Sequence, residues 1–147
     1  MPHFLFDDSH IHWQTLAGFD HLQYSILDID ESHKIVDVLF KFAARKQIVL
    51  HRHKVLNKTF VIQGEHRLYH ADGSLKEIRP VGRYTSSQPS EEPHREGGGD
   101  EDVVVYFSIR GGDGVFYEIL DDELNVTAEL GMRDFVDLYE KQTGKSS

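Results

Sequence analysis

The stretch that decides the fold is VLHRHKVLNKTFVIQGE, residues 49–65, which places His51 and His53 one residue apart in an apolar run. In a β-strand alternate side chains face the same way, and residues two apart lie roughly 6.5 to 7 Å from each other. Val49 and Val55 therefore share one face with the two histidines, while the opposite face ends in charged residues. We expect both imidazoles to point inward, where they could bind one cation or, alternatively, form hydrogen bonds as ordinary core histidines.

The composition indicates one globular domain of 147 residues, with 39% hydrophobic and 28% charged residues. The net charge of -9 argues against nucleic acid or an anionic membrane as a partner, because both are bound by clustered Lys and Arg. The chain has no cysteine, which excludes thiolate ligands and fits a reducing compartment. The start MPHFLFDDSH lacks a signal-peptide pattern, and no apolar run is long enough to span a membrane. We therefore expect a cytoplasmic protein.

The hydrophobic pattern alternates with a period of two along most of the chain, which indicates an all-β protein. Strand-like runs such as YSILDID, KIVDVLFKFAA and DVVVYFSIR are separated by turn-forming clusters, and Asp72-Gly73 predicts a hairpin. Only residues 131–144, GMRDFVDLYEKQTG, have helical spacing. Residues 95–102, REGGGDED, are predicted to form a loop because they are glycine-rich and charged. A sandwich and a barrel both fit this pattern, and we favour a small barrel with one terminal helix.

The spacing around the histidine pair is a second signal. Three residues separate His53 from Asn57, and six more separate Asn57 from Gly64. Further along, the segment PSEEPH, residues 89–94, ends at His94. These segments resemble the two motifs of the cupin superfamily, in which H-x-H is followed by Glu and Gly, and a later P-x-G-x-x-H supplies another histidine.

The cupin resemblance implies a fold as well as a site. It places motif one around residues 45–64 and motif two around residues 82–98 of a single domain spanning residues 1–147. The implied fold is a double-stranded β-helix, a jelly-roll barrel, with a short C-terminal helix packed outside. Many cupins are homodimers, so we expect the strands around SILDID and KIVDVLF to pair across a homodimer. Two departures from the motifs are that Asn57 replaces the glutamate ligand and Glu91 replaces the second-motif glycine.

The resemblance also implies a ligand set in which His51, His53 and His94 bind one divalent metal. Asn57 and Gln88 are each a candidate fourth ligand or a hydrogen-bonding neighbour of the ligands. Gln88 stands where related dioxygenases can carry a carboxylate near the metal, and the alternative is an ordinary polar residue before a turn. Three neutral imidazoles would leave the full charge on the metal. Fe(II) is the expected cofactor, with Zn, Ni, Mn or Cu as alternatives. The opposing interpretation is a cupin that keeps three polar core residues and binds no metal.

Other residues give weaker signals. His10 and His12 repeat the H-x-H pattern, but no third ligand lies at a recognisable spacing. His66 and His70 could edge a pocket, although we expect them to be exposed on the outer sheet. Tyr106 is a candidate pocket residue, with aromatic packing as the alternative.

The segment from PHREGGGDED to DFVDLYEK resembles the corresponding part of acetylacetone-cleaving and dihydroxyacetophenone dioxygenases among the cupins. That resemblance implies a non-haem Fe(II) enzyme that uses O2 to cleave a carbon–carbon bond beside a carbonyl in a small diketone or hydroxyketone. A second class stays open, a non-enzymatic cupin that acts as a metal- or ligand-binding sensor or an interaction module. The pattern identifies no catalytic acid, base or substrate-clamping arginine, but three candidate ligands at motif spacing favour the enzyme, with the non-enzymatic cupin as the alternative.

Overall fold

The computed structural model describes residues 6–144. Within this range the chain forms twelve strands and one helix, so the prediction of an all-β protein with a short C-terminal helix is confirmed. In chain order they are β1 (Gln14–Thr15), β2 (Leu22–Asp30), β3 (Ile35–Phe42), β4 (His51–His53), β5 (Leu56–Gln63), β6 (His66–Tyr69), β7 (Leu75–Arg79), β8 (Tyr84–Ser87), β9 (Arg95–Gly98), β10 (Val103–Arg110), β11 (Val115–Leu120), β12 (Val126–Gly131) and α1 (Met132–Thr143). Within residues 6–144, no helix is long and apolar enough to cross a membrane.

The strands form one large and two small antiparallel sheets. The large sheet has the order β1-β2-β3-β10-β5-β8, and the small sheets have the orders β12-β11-β4 and β7-β6-β9. A backbone bridge joins the small sheets, because His51 N–H donates to the His94 carbonyl at 3.0 Å and His94 N–H donates to the His51 carbonyl at 2.8 Å. Strands far apart in sequence are neighbours, as in the predicted double-stranded β-helix, and the jelly-roll fold is confirmed.

The core is filled by alternate residues of β3 and β10, which run side by side. Phe107 lies opposite Val38, and Ile109 lies opposite Val36. All four side chains are buried, and both valines and Ile109 are fully inaccessible at 0% exposure. The period of two in the sequence therefore marks the inner face of the large sheet.

Helix α1 packs against the core and covers part of the edge of β2. The Phe135 ring lies 6.0 Å from the Phe116 ring between centroids, which anchors the helix on the core. The Gln142 side chain accepts from Ile26 N–H at 2.9 Å and donates to the Ile26 carbonyl at 2.8 Å, as a neighbouring strand would. Gly144 has a φ of 76° in the left-handed region and ends the helix where the sequence predicts.

The homodimer expected from the sequence has limited strand edge to use. Strand β3 lies between β2 and β10, so both of its edges are already paired. Strand β2 pairs with β1 only over two residues and is held by Gln142 at Ile26. Edge pairing across a dimer would therefore have to use the part of the β2 edge that neither β1 nor Gln142 covers. The homodimer stays a prediction, and the molecular mass from solution scattering can test it.

The prediction of a loop over residues 95–102 is wrong for its first half. Residues Arg95–Gly98 form β9 and pair with β6. A Cβ atom at Gly97 would lie 1.8 Å from the carbonyl oxygen of Lys46, so the missing side chain is what allows the two backbone segments to approach. The glycines here permit tight packing, and they bring the buried residue Glu96 into the interior.

We predict that Gly97→Ala destabilises the protein by about 1–3 kcal/mol, because the added methyl group must displace the Lys46 backbone or β9. Gly112→Ala is the matched control, since a Cβ atom there meets nothing within 4 Å, and we expect a change within about 0.5 kcal/mol. Urea denaturation measures both. Equal losses in the two variants would contradict the close approach of β9.

Candidate metal centre

Strand β4 holds two buried histidines in fixed orientations. His51 is 5% exposed and His53 is 9% exposed, as the alternation in the sequence predicts. The Nδ1 atom of His51 lies 2.8 Å from the Val49 carbonyl oxygen, and the Nδ1 atom of His53 lies 2.9 Å from the Val55 carbonyl oxygen. A carbonyl can only accept, so Nδ1 is the donor in both rings and Nε2 is the atom left for a metal or a second proton.

His94 lies beside this pair. The backbone bridge between His51 and His94 is a hydrogen-bonded antiparallel pair, so the two side chains leave the same face of the sheet. Ring centroids are 4.6 Å apart for His51 and His94, and 6.0 Å apart for His53 and His94. The three rings of the two motifs thus lie close together, but His53 is not in the group whose ligand atoms all lie within 4.8 Å of one another. His10 and His12 are exposed and do not take part in this group.

A carboxylate that the sequence analysis missed completes the group. One oxygen of Glu96, Oε2, lies 2.7 Å from Nε2 of His51 and 3.6 Å from Nε2 of His94. Ligand atoms of His51, His94 and Glu96 all lie within 4.8 Å of one another, so these three side chains could hold a metal ion. The side chains of the site are therefore not all neutral imidazoles. Glu96 stands two residues after His94, and the alternation rule would have found it had β9 been recognised as a strand.

His66 orients that carboxylate, and the expectation that it is exposed is wrong. Its side chain is 0% exposed, its ring stacks on Phe42 at 5.4 Å between centroids, and its Nε2 lies 2.7 Å from Oε1 of Glu96. Among the described residues no hydrogen-bond partner reaches its Nδ1. The carboxylate of Glu96 can only accept, so Nε2 of His66 donates to it and fixes the plane of the carboxylate. Along β6 the burial alternates, with His66 and Leu68 buried, so His66 lies on the inner face of the sheet.

The charges within the site follow from these contacts. Burial raises the pKa of Glu96, but the hydrogen bonds from His51 and His66, with the His94 ring close by, outweigh it and hold the pKa well below its usual value. Burial lowers the pKa of His51, yet its bond to Glu96 more than offsets this, and the net shift is upward. Burial lowers the pKa values of His53 and His94. Glu96 is therefore an anion paired with a protonated His51, while His53 and His94 keep free lone pairs. Imidazoles with one carboxylate suit a divalent transition metal.

Two cavities of different character meet at this group. A polar cavity of about 200 Å³ is lined by His53, His94 and Glu96 among others. An apolar cavity of about 60 Å³ lies under α1 and is lined by His51 and Glu96 together with residues of the hydrophobic core. Tyr117 contributes to the walls of both cavities. The group therefore forms part of the boundary between a polar chamber and an apolar one.

Asn57 and Tyr117 form a hydrogen-bonded pair in the wall of the polar cavity. The Tyr117 hydroxyl donates to Oδ1 of Asn57, and Nδ2 of Asn57 donates to the Val55 carbonyl at 3.0 Å. Burial, with the charge of Glu96, raises the pKa of Tyr117 well above its usual value, so the hydroxyl keeps its proton. The amide oxygen of Asn57 thus faces Tyr117, an aromatic residue that the sequence analysis did not single out.

The two remaining candidates lie at different distances from the cavity. Gln88 is exposed and lines the polar cavity near its surface. Tyr106 is not among the residues that line either cavity, and its hydroxyl donates to Asp37 at 2.9 Å. Alternation along β10 places Phe107 in the cavity walls and turns Tyr106 to the other face of the sheet.

We predict that Zn²⁺ binding at neutral pH releases about one proton per chain, because a metal at His51 displaces the proton that Glu96 retains there. A raised pKa means that the free protein holds this proton until the pH exceeds that pKa, so metal affinity rises with pH across that range. Isothermal titration calorimetry in buffers of different ionisation enthalpy measures the release. Glu96→Gln should reduce it, and Glu123→Gln, in an exposed turn, should not. Undiminished release from the Glu96 variant would contradict this account.

Comparison with known proteins is informative only through structure. No protein-family model matches the sequence, and no curated protein matches it. The fold is similar to an RmlC-like cupin protein from Ralstonia eutropha, with 17% identity and a TM-score of 0.75 over 99% of this chain and 90% of that chain. It is similar to an acetylacetone dioxygenase from Acinetobacter johnsonii, with 14% identity and a TM-score of 0.69 over 97% of this chain and 93% of that chain.

A polyketide cyclase from Streptomyces resistomycificus has a similar structure too, with 15% identity and a TM-score of 0.58 over 97% of this chain and 94% of that chain. Proteins with different activities thus share this architecture, and identities this low establish architecture alone. The resemblance drawn from the histidine motifs is confirmed at that level. The chain has the cupin fold, and acetylacetone dioxygenase is among the proteins that share it.

Proposed function

We propose that this chain is a metal-dependent cupin enzyme, a non-haem Fe(II) dioxygenase that uses O2 to cleave a carbon–carbon bond beside a carbonyl in a small diketone or hydroxyketone. The observation that carries this proposal is the group formed by the buried His51 and Glu96 with the half-buried His94 at the wall of a polar cavity. The similarity of fold to an acetylacetone dioxygenase supports the reaction type. We propose one such domain over residues 1–147.

The proposed ligands are His51, His53 and His94, with Glu96 as the carboxylate that the first motif lacks at Asn57. Two histidines and one carboxylate on one side of a metal, with open positions on the other, are typical of Fe(II) oxygenases. The bonds from Nδ1 to backbone carbonyls hold the rings of His51 and His53 so that Nε2 is the coordinating atom. Zn, Ni, Mn and Cu accept the same ligand types and are the alternatives.

Bound there, Fe(II) would supply a Lewis-acidic centre with positions open to an enolised substrate and to O2. The residues around it have separate tasks. His66 holds the Glu96 carboxylate by one hydrogen bond, which keeps that ligand oriented. Tyr117 stays protonated and donates its O–H to Asn57, so the two side chains form a fixed polar part of the wall of the proposed substrate cavity. The apolar residues under α1 keep bulk water from one side of the site, which strengthens electrostatic attraction within it.

A second candidate function is a non-enzymatic cupin that acts as a sensor or an interaction module. One observation favours it: the pair formed by His51 and Glu96 at 2.7 Å satisfies both buried groups without any cation. A buried ion pair of this kind can be a structural element in its own right. Metal content and oxygen consumption distinguish the two functions.

We predict that protein purified without chelators contains one metal per chain and, after loading with Fe(II), consumes O2 with acetylacetone. His53→Ala and Glu96→Gln should each weaken metal binding by more than about 100-fold. Loss of a residue that only holds a ligand in place costs about 10- to 100-fold, and loss of a ligand itself should cost more. Both should stay folded, because the strand hydrogen bonds do not depend on these side chains. Elemental analysis, circular dichroism and an oxygen electrode give the three measurements.

His10→Ala is the matched control, since it removes an exposed histidine from the other H-x-H pair. It should change neither metal content nor oxygen uptake. Loss of metal from His10→Ala with retention by His53→Ala would mean that the ligand set is wrong. Iron-loaded protein that binds metal tightly but consumes no O2 with diketones or thiols would support the sensor function instead.

A further inference from the structure

A buried arginine lies in the same polar cavity as the proposed metal ligands. Arg79, the last residue of β7, is 9% exposed and lines this cavity with His53, His94 and Glu96. It pairs directly with His66 across β6 and β7, so its side chain lies on the sheet face that carries the buried His66 ring. Nothing local in LKEIR, residues 75–79, distinguishes an inward arginine from an outward one, so the sequence alone does not mark Arg79 as a residue that binds substrate.

Two nitrogen atoms of the Arg79 guanidinium donate hydrogen bonds to neighbouring side chains, and the third nitrogen atom has no partner among the described residues. Its Nε donates to Oε2 of Glu77 at 2.7 Å, and its Nη1 donates to the Thr85 hydroxyl at 3.3 Å. Within residues 6–144, Nη2 makes no hydrogen bond to another residue. Among the described residues, Nη2 is not one of the fully inaccessible side-chain atoms that lack a partner, so it has surface open to a ligand or to water. The edge formed by Nη1 and Nη2 has the spacing that binds both oxygens of a carboxylate.

The other charges of the cavity make Arg79 the cation best suited to a ligand. Lys76 also lines the cavity, but its Nζ is already 2.9 Å from Glu92 near the surface. Glu77 stays ionised because its hydrogen bond to Arg79 lowers its pKa, so it orients the guanidinium while leaving the far edge open. Arg79 and His53 line the same cavity of about 200 Å³. A single small ligand could therefore reach both Arg79 and the metal group.

We propose that Arg79 binds a carboxylate of the substrate, and that the preferred substrates are small keto acids or hydroxyketo acids. This inference rests on the proposed function, because it concerns the substrate of the same metal centre. One end of the ligand, an enolised carbonyl pair, lies at the metal group, and the other end, a carboxylate, lies on Arg79. A neutral diketone satisfies only the first of these requirements.

The test compares two ligands that share the enolisable diketone and differ in one group. Acetylacetone ends in a methyl group where 2,4-dioxopentanoate has a carboxylate. Calorimetry on Zn²⁺-loaded protein, which cannot turn over, should show binding of 2,4-dioxopentanoate about 10- to 100-fold tighter than of acetylacetone, the range expected for a charge-assisted hydrogen-bonded pair. Equal affinities in the unmodified protein would overturn the inference.

The variants separate a carboxylate contact from a general loss of structure. Arg79→Gln should weaken the binding of 2,4-dioxopentanoate and leave that of acetylacetone unchanged, which abolishes the preference for the carboxylate. Arg79→Lys should restore part of this preference. The double variant Arg79→Gln with Glu77→Gln avoids leaving Glu77 unpaired and should behave like the single variant. Lys76→Gln, which removes another cavity cation, should keep the preference. If Arg79→Gln or the double variant weakened the binding of both ligands equally, the role of Arg79 would be structural and the inference would fail.

Failure of the inference and failure of the proposed function give different results. Iron-loaded protein that consumes O2 with acetylacetone but shows no preference for the carboxylate overturns the inference alone. Protein that binds no metal overturns the proposed function. In that case, binding of 2,4-dioxopentanoate to metal-free protein that is lost in Arg79→Gln would still support the role of Arg79, and no binding would overturn that role as well.

Discussion

The burial of one carboxylate, that of Glu96, is the constraint on which the rest of the site depends. A buried anion without partners would be very unfavourable, and the chain meets this cost with two short bonds of 2.7 Å from His51 and His66. Those bonds in turn determine where the protons lie, since His51 holds a second proton and His66 donates from Nε2. The same carboxylate, oriented by His66, is what makes the group suitable for a divalent cation.

The fold positions the site through hydrogen bonds that also close the barrel. The bridge between His51 and His94 connects the two small sheets, so the contact that completes the architecture also brings two candidate ligands side by side. Strand β9 can take its place only because Gly97 lets its backbone approach Lys46. Stability and site geometry are therefore linked in this region, and a change that moves β9 would move Glu96 with it.

The surroundings of the site differ on its two sides, and the topology explains the difference. Helix α1 and the inner residues of β3 and β10 provide an apolar boundary, while β5, β7 and the segment before His94 provide polar side chains. Arg79, Asn57 and Tyr117 are on the polar side, where a small anionic molecule would be accommodated. A cation at the junction would be partly shielded from water on one side and open to ligands on the other, which is the asymmetry that metal-assisted chemistry requires.

The sequence by itself determined the features that depend on neighbours along the chain. Alternation placed His51 and His53 inside, Asp72-Gly73 marked the hairpin between β6 and β7, and Gly144 ended the helix. Motif spacing related His94 to the histidine pair, and the structure brings the three together.

Only the tertiary structure decided the inward positions of Glu96, His66 and Arg79. Glu96 lies in a glycine-rich segment whose composition favours a loop, and that segment is a strand because its glycines fit against the backbone at Lys46. His66 and Arg79 are polar residues whose burial depends on facing each other across β6 and β7 and on sharing the polar interior around Glu96. Such contacts join residues far apart in sequence, so no local pattern records them. The physical reason is that burial of a polar group is decided by its partners.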